Sequence, residues 1–152
     1  MSPPALNAFS IALVLARPAA TTGLFTLLDL DPAESAVGQS ADIAFYRVLF
    51  AVSTVVAVPL EELFFRGIVR PHLEERFHAA VAIPVASLLF VVVHASVTVE
   101  SSGEAIAFGM FFAFGIVLAT GYYLTENLFV PLIGHVSFNG IQILLRALEV
   151  AV

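Results

Sequence analysis

Long apolar runs separated by short polar stretches dominate the second half of the chain. Residues 79–99, 105–125 and 127–145 contain no Asp, Glu, Lys or Arg, and each is 19 to 21 residues long. A helix that crosses a bilayer needs about 20 mostly apolar residues. Residues 43–69 predict one more span, although this segment carries several charges. The pattern therefore predicts an all-α fold, a polytopic transmembrane helix bundle with about four core spans.

The first 41 residues predict a separate N-terminal part. Residues 5–16 and 19–28 are apolar, and an Arg-Pro pair separates them. They form either one kinked span or two half-length interfacial helices. Residues 29–42 are rich in Asp, Glu, Gly, Pro and Ser, which is typical of a loop. We therefore divide the chain into residues 1–41, an apolar segment with an acidic loop, and a core of residues 42–152.

The composition favours a membrane protein and excludes several other classes. Hydrophobic residues make up 60% and charged residues 12% of the 152 residues, and the mean hydropathy is +1.00. A soluble domain of this size has too much surface to bury so much apolar material. A net charge of −6 without any Lys excludes a nucleic-acid-binding protein. The lack of Cys excludes disulfides, thiol nucleophiles and Cys-ligated metals.

The arginines predict the orientation of the chain. Arg66, Arg70 and Arg76 lie within residues 66–78, and cytoplasmic loops carry an excess of positive charge. We therefore expect a multi-pass protein of the cell membrane, in contact with lipid, with this segment on the cytoplasmic side. The other ionisable residues of the segment predict a solvated helical turn; they are His72, Glu74, Glu75 and His78.

Depth along the helices predicts where the second span begins. A helix rises about 1.5 Å per residue, so Glu61 lies about 12 Å deep if the first span ends near Val69. His94 comes 15 residues after Ala79, which places it about 22 Å deep. For the two to meet, we expect residues 73–81 to form a cytoplasmic extension of the second helix.

Small residues spaced four apart predict close helix packing in the third span. Gly109 and Ala113 form one such pair, and Gly115 and Ala119 form another. Small side chains let helix backbones approach each other closely in lipid.

Ionisable side chains inside hydrocarbon are costly and mark functional sites. Glu62 and Arg66 are four residues apart, so they lie on one helix face and can pair. Glu61 is turned about 100° away from Glu62 and can point at another partner. Taken alone, such a group is often an interfacial ion pair.

Three predicted helices can bring an acid and two imidazoles to one place. His135 and Asn139 are four residues apart and can face one cavity, while Glu61 and His94 come from other spans. Together, Glu61, His94 and His135 can surround one water molecule, which a carboxylate can activate. A lone membrane His or Asn is more often a packing or hydrogen-bonding residue. The set favours a site, because residues 105–125 carry no such group.

Three short motifs carry a resemblance to a known family. Residues 61–66 read Glu-Glu-Leu-Phe-Phe-Arg and match the pattern E-E-x-x-x-R. Residues 90–94 match F-x-x-x-H, and residues 135–139 match H-x-x-x-N. In this order, over residues 42–148, the motifs resemble those of the CPBP intramembrane proteases, which include the type II CAAX prenyl proteases and the abortive-infection-like proteins.

The resemblance implies an intramembrane endopeptidase, a hydrolase without a cofactor, that acts on a protein or peptide substrate. In the CAAX branch that substrate is lipid-modified. Glu61 is implied as the general base on the hydrolytic water, and His94 as a residue that holds this water. His135 and Asn139 are implied to stabilise the oxyanion. The Glu62–Arg66 pair is implied to support the site.

Two other interpretations remain open. Glu61, His94 and His135 form the His₂Glu ligand type of an open catalytic zinc site, which makes a zinc-dependent intramembrane metalloprotease the first alternative. No HExxH motif is present, so such a site must be assembled across helices. The second alternative is a non-catalytic membrane scaffold or a proton or ion pathway.

Overall fold

The computed structural model describes residues 40, 42–95 and 104–152, and within these residues the protein contains helices and no strand. The prediction of an all-α fold is confirmed. The predicted N-terminal apolar segment lies outside the described residues, so the division of the chain into two parts stays a prediction. The helices, numbered in chain order, are α1 (Ile43–Glu74), α2 (Ala79–Ala95), α3 (Glu104–Thr125) and α4 (Phe129–Ala151).

Two of these helices point to a membrane protein. α1 and α3 are long and apolar enough to cross a bilayer, whereas α2 is a shorter apolar helix. In an apolar stretch of 18 residues within each helix, only 17% of the stretch in α1 and 28% of the stretch in α3 is buried inside the structure. A core helix of a soluble protein would instead be mostly buried. The count of four core spans stays a prediction.

Local adjustments let α1 continue through two prolines. Asp42 caps the N-terminus of the helix, because its carboxylate accepts a hydrogen bond from the backbone N–H of Ala44 at 2.8 Å. Its turns widen to π-helical geometry at Ser53–Ala57 and Phe65–Val69. In a regular α-helix, a proline ring clashes with the carbonyl group four residues earlier. For Pro59 and Pro71, that carbonyl group lies in one of the two widened turns. These turns accommodate the prolines without ending the helix.

The length of α1 corrects the predicted start of the second helix. Residues 73–74 are the last residues of α1, and α2 begins at Ala79. The predicted extension over residues 73–81 is therefore wrong. Because α1 ends at Glu74 and not near residue 69, Glu61 lies about 20 Å from its end. His94 lies about 22 Å from the start of α2, so the longer α1 brings the two residues to the same level.

The C-terminal end of α1 is also more buried than predicted. Arg70 is only 6% exposed, and its Nη2 donates to both carboxylate oxygens of Glu74, at 2.9 and 2.8 Å. Its guanidinium lies 4.9 Å from the ring centre of Tyr122 and 5.3 Å from that of Tyr123 on α3. Glu74 is therefore less solvated than predicted, because it neutralises an arginine packed against aromatic rings. The prediction of a solvated turn is confirmed for His72, Glu75 and His78, which are exposed.

The helices pack around a small aromatic core. α1 packs against α4, α4 against α3, and α3 against α2, while α2 contacts α1 along its last part, from Phe65 to Glu74. Each helix contributes to one buried cluster, which consists of Phe65, Phe90, Phe114, Leu118 and Phe138. This cluster lies beside the polar residues singled out by the sequence, and it fixes the helices that carry them.

One of the two small-residue pairs lies at a close helix contact. A Cβ atom added at Gly115 would lie 3.1 Å from Cβ of Ser87 on α2. A Cβ atom added at Gly109 would meet nothing within 4 Å among the described residues. The prediction of close packing at Gly109 is therefore wrong for the part of the chain that the structure describes.

We expect Gly115→Val to destabilise the protein by about 1–3 kcal/mol, because it overpacks the α2–α3 contact. Gly109→Val is the matched control, since it introduces the same β-branched residue into the same helix where the space is open. The measurement is the thermal unfolding midpoint of both variants in the same detergent. Equal midpoints would contradict the assignment of a close contact to Gly115.

Candidate active site

Three side chains from three helices converge near the middle of the bundle. Oε2 of Glu61 on α1 lies 3.7 Å from Nε2 of His94 on α2 and 3.6 Å from Nε2 of His135 on α4. All three atoms lie within 4.8 Å of one another. Oε2 of Glu61 is buried and has no hydrogen-bond partner among the described residues. The atoms are too far apart to bond each other directly, but close enough to share one small partner.

Both imidazoles are held through their Nδ1 atoms. Nδ1 of His94 donates to the backbone carbonyl of Phe90 at 2.9 Å, one helical turn earlier. Nδ1 of His135 lies 2.6 Å from Oε1 of Glu62. With both Nδ1 atoms engaged, both Nε2 atoms are directed towards Glu61.

Glu62 contacts two partners at once. Its Oε1 lies 3.1 Å from Nη1 of Arg66, the partner that the four-residue spacing predicted for it. The same oxygen contacts His135, which the sequence analysis did not predict. Glu62 and Arg66 are 0% and 2% exposed, so both are removed from water. The guanidinium of Arg66 also lies 5.1 Å from the ring centre of Phe90, whose face favours a cation.

Aromatic rings surround the two histidines. The ring of Phe90 stacks on His94 with centroids 4.0 Å apart, and Phe111 lies 5.4 Å from His94. Phe114 meets His135 edge to face at 5.4 Å. The sequence analysis quoted Phe90 only as part of a motif and gave no role to Phe111 or Phe114. The four-residue spacing of Phe90 and His94 could have predicted that these two rings meet. The contacts of Phe111 and Phe114 join different helices, so spacing along one helix could not predict them.

Access to the site differs among its members. The side chains of Glu61 and His94 are 29% and 16% exposed, whereas that of His135 is 1% exposed. Glu61 precedes the part of α1, Phe65–Glu74, along which α1 contacts α2. Glu61 and His94 therefore form the more exposed part of the site, and His135 forms its buried part.

Asn139 lies beside the site without joining the group described above. It is half-buried on α4, one turn after His135. Within the described residues, no hydrogen bond or ion pair links it to Glu61, His94 or His135. Its role with a bound substrate stays a prediction.

A comparison with protein families decides the affiliation of the chain. Residues 43–141, well over half of its length, match the family model of the type II CAAX prenyl endopeptidases, Rce1-like. The chain belongs to this Rce1-like family. The resemblance that the three motifs carry is thereby confirmed, and the matched stretch contains all six predicted site residues. Searches of curated proteins and of solved structures found no match.

Membership makes this chain a CAAX-protease-like peptidase, a hydrolase of peptide bonds that acts on protein substrates. Together with the long apolar helices, it makes the chain a membrane protein. The converging acid and imidazoles thus lie in a protein whose family performs hydrolysis.

Proposed function

We propose that the protein is a multi-pass intramembrane endopeptidase of the cell membrane, in which Glu61 activates a water molecule without the help of a metal. The observation that carries this proposal is the approach of Glu61 Oε2 to Nε2 of both His94 and His135. A water at hydrogen-bond distance, about 2.8 Å, can contact Glu61 and His94 together. General bases act at this range.

The proton transfers follow from this arrangement. Glu61 removes a proton from the water as the water oxygen forms a bond with the carbonyl carbon of the substrate. His94 accepts the second hydrogen bond of the water and fixes its direction. Glu61 then passes the proton to the leaving amine as the carbon–nitrogen bond breaks, so the base returns to its starting state.

His135 serves as the donor to the developing oxyanion. When both of its ring nitrogens are protonated, Nδ1–H donates to Glu62 and Nε2–H is left to donate to the carbonyl oxygen. The two carboxylates of Glu61 and Glu62 are then balanced by Arg66 and His135, which a buried group of charges requires. The amide of Asn139 is the second donor to the oxyanion.

Apolar side chains beside the site favour a lipid-modified protein substrate. Leu60 and Phe64 flank Glu61 on α1, and Val93 precedes His94 on α2, and all three are about half or more exposed. An apolar chain attached to the substrate gains contacts along these residues while the adjoining peptide bond lies at Glu61. Residues 66–78 face the cytoplasm in this arrangement, with the helices in contact with lipid.

The test uses the full chain reconstituted in liposomes. The substrate is a farnesylated peptide that ends in a CAAX sequence, and we expect the protein to cleave the bond directly after the modified Cys. The same peptide without the farnesyl group is expected to be cleaved much more slowly. Mass spectrometry of the products measures both. EDTA is expected to leave the rate unchanged. Activity that EDTA abolishes and zinc restores would favour the zinc-dependent alternative, and no cleavage of either peptide would contradict the proposal.

A further inference from the structure

The two imidazoles of the site are held differently. His135 is 1% exposed, and its Nδ1 atom contacts the carboxylate of Glu62 on another helix. His94 is 16% exposed, and its Nδ1 atom donates to the carbonyl of Phe90 on its own helix. The torsion that turns a histidine ring about its Cβ–Cγ bond has a broad energy minimum, so this hydrogen bond constrains it only in part. The direction of Nε2 in His94 therefore depends also on what packs against the ring.

Two phenylalanine rings pack against the imidazole of His94. Phe90 stacks on it with the ring centres 4.0 Å apart and the planes at 29°. Phe111, on α3, lies 5.4 Å from it with the planes at 37°. Within the described residues these two phenylalanines make no ring contact with each other, so they meet the imidazole on different sides. Phe90 belongs to the same helix as His94, whereas Phe111 supports the ring from a neighbouring helix.

Phe111 differs from the other rings near the site. Phe90 and Phe114 are each 1% exposed and belong to the aromatic core of the bundle. Phe111 is half-buried and lies outside that core cluster, so it contributes less to holding the four helices together. The next residue, Phe112, is also half-buried, but it makes no ring contact in the described part of the chain. The contact with a histidine of the site therefore distinguishes Phe111 from its neighbour.

We propose that Phe111 is a positioning residue of this site, which confines the ring of His94 so that Nε2 points at the water beside Glu61. The catalytic part of this inference rests on the proposed function, whereas the contact does not. A misplacement of about 1 Å in an active site can lower a rate about 10²-fold. α3 has no ionisable side chain in residues 105–125, and it thus contributes to catalysis through an aromatic ring.

The catalytic effect is measured as kcat and KM for cleavage of the farnesylated peptide. We expect Phe111→Leu to lower kcat about 10-fold, because Leu keeps apolar bulk but not the flat ring that confines the imidazole. KM is expected to stay close to the wild-type value, because His94 acts on the water. Phe111→Tyr keeps the ring and is expected to retain most of the wild-type kcat. Phe112→Leu is the matched control and is expected to match the wild type.

The environment of the imidazole is measured without reference to activity. The chain contains four histidines, so isotopically labelled histidine gives four sets of ring signals in the NMR spectrum of the full chain in micelles. His94→Ala identifies the signal of His94 by its loss. We expect Phe111→Leu to shift and broaden this signal, because the imidazole loses a ring current and gains motion. The signals of the exposed His72 and His78 are expected to stay unchanged, and Phe112→Leu is expected to change none of the four.

The outcomes separate this inference from the proposed function. An unchanged His94 signal in Phe111→Leu, or a kcat equal to that of Phe112→Leu, would overturn the inference and leave the proposed function intact. A higher KM at an unchanged kcat would also overturn it, because Phe111 would then act on the substrate. A shifted signal in a protein that cleaves no peptide would support the contact and contradict the proposed function. If Phe111→Leu does not fold, Phe111→Met replaces it in both measurements, because Met fills irregular space without a ring.

Discussion

Replacing Glu61 with Gln is expected to lower kcat for peptide hydrolysis by a factor of about 10²–10⁴, the usual contribution of a general base. Gln has nearly the same shape but cannot remove a proton from water. Oε2 of Glu61 makes no hydrogen bond among the described residues, and its distances to the two Nε2 atoms, 3.7 and 3.6 Å, are too long for strong contacts, so the substitution removes little that holds the helices together. The thermal unfolding midpoint is therefore expected to stay close to that of the wild type while the rate falls.

The control for this experiment is the same substitution elsewhere on the chain. Glu75 follows the end of α1, and its side chain is 68% exposed, so Glu75→Gln is expected to change neither rate nor stability. His94→Ala is also expected to lower the cleavage rate strongly, because the water loses its second partner. Cleavage by Glu61→Gln at the wild-type rate would exclude Glu61 as the base, whatever the behaviour of His94→Ala.

Local spacing explains which parts of the site could be predicted. Glu62 and Arg66 lie on one helix, so a periodicity of about 3.6 residues fixes their relation without knowledge of the rest of the fold. The same argument turns Glu61 about 100° away from Glu62, and in the structure Glu61 approaches the two histidines. The depth of Glu61 was harder to predict. Hydropathy ended the first span near residue 69, whereas a buried Arg70 paired with Glu74 continues α1 by five residues.

Contacts between distant residues could not be predicted in this way. Glu62 and His135 are 73 positions apart, and no periodicity along one helix reports that their side chains meet. The spacing of Gly109 and Ala113 is the same as that of Gly115 and Ala119, yet of the two glycines Gly115 lies close to another helix and Gly109 meets nothing within 4 Å in the described part of the chain. Which face of a helix meets a neighbour depends on the packing of the whole bundle, because an apolar span is hydrophobic on every side.

Replacing Glu62 with Ala is expected to lower the free energy of unfolding by about 3–5 kcal/mol, the typical cost of removing one partner of a buried ion pair. Arg66 is only 2% exposed and would retain its charge without a carboxylate beside it. His135 would lose its partner at Nδ1 as well. The measurement is a denaturant titration of the wild type and the variant in the same micelles, followed by the helical signal.

Two further variants separate the loss of a charge pair from the loss of a side chain. Glu74→Ala removes the partner of Arg70, but Glu74 is 26% exposed, so its removal opens a path for water to the guanidinium and a smaller loss is expected. Changing Arg66 to Met in the Glu62→Ala background removes the uncompensated charge and is expected to recover part of the stability. If Glu62→Ala costs no more than Glu74→Ala, the buried pair does not hold the bundle together. Glu62 would then act only by orienting His135, and its substitution would affect the cleavage rate alone.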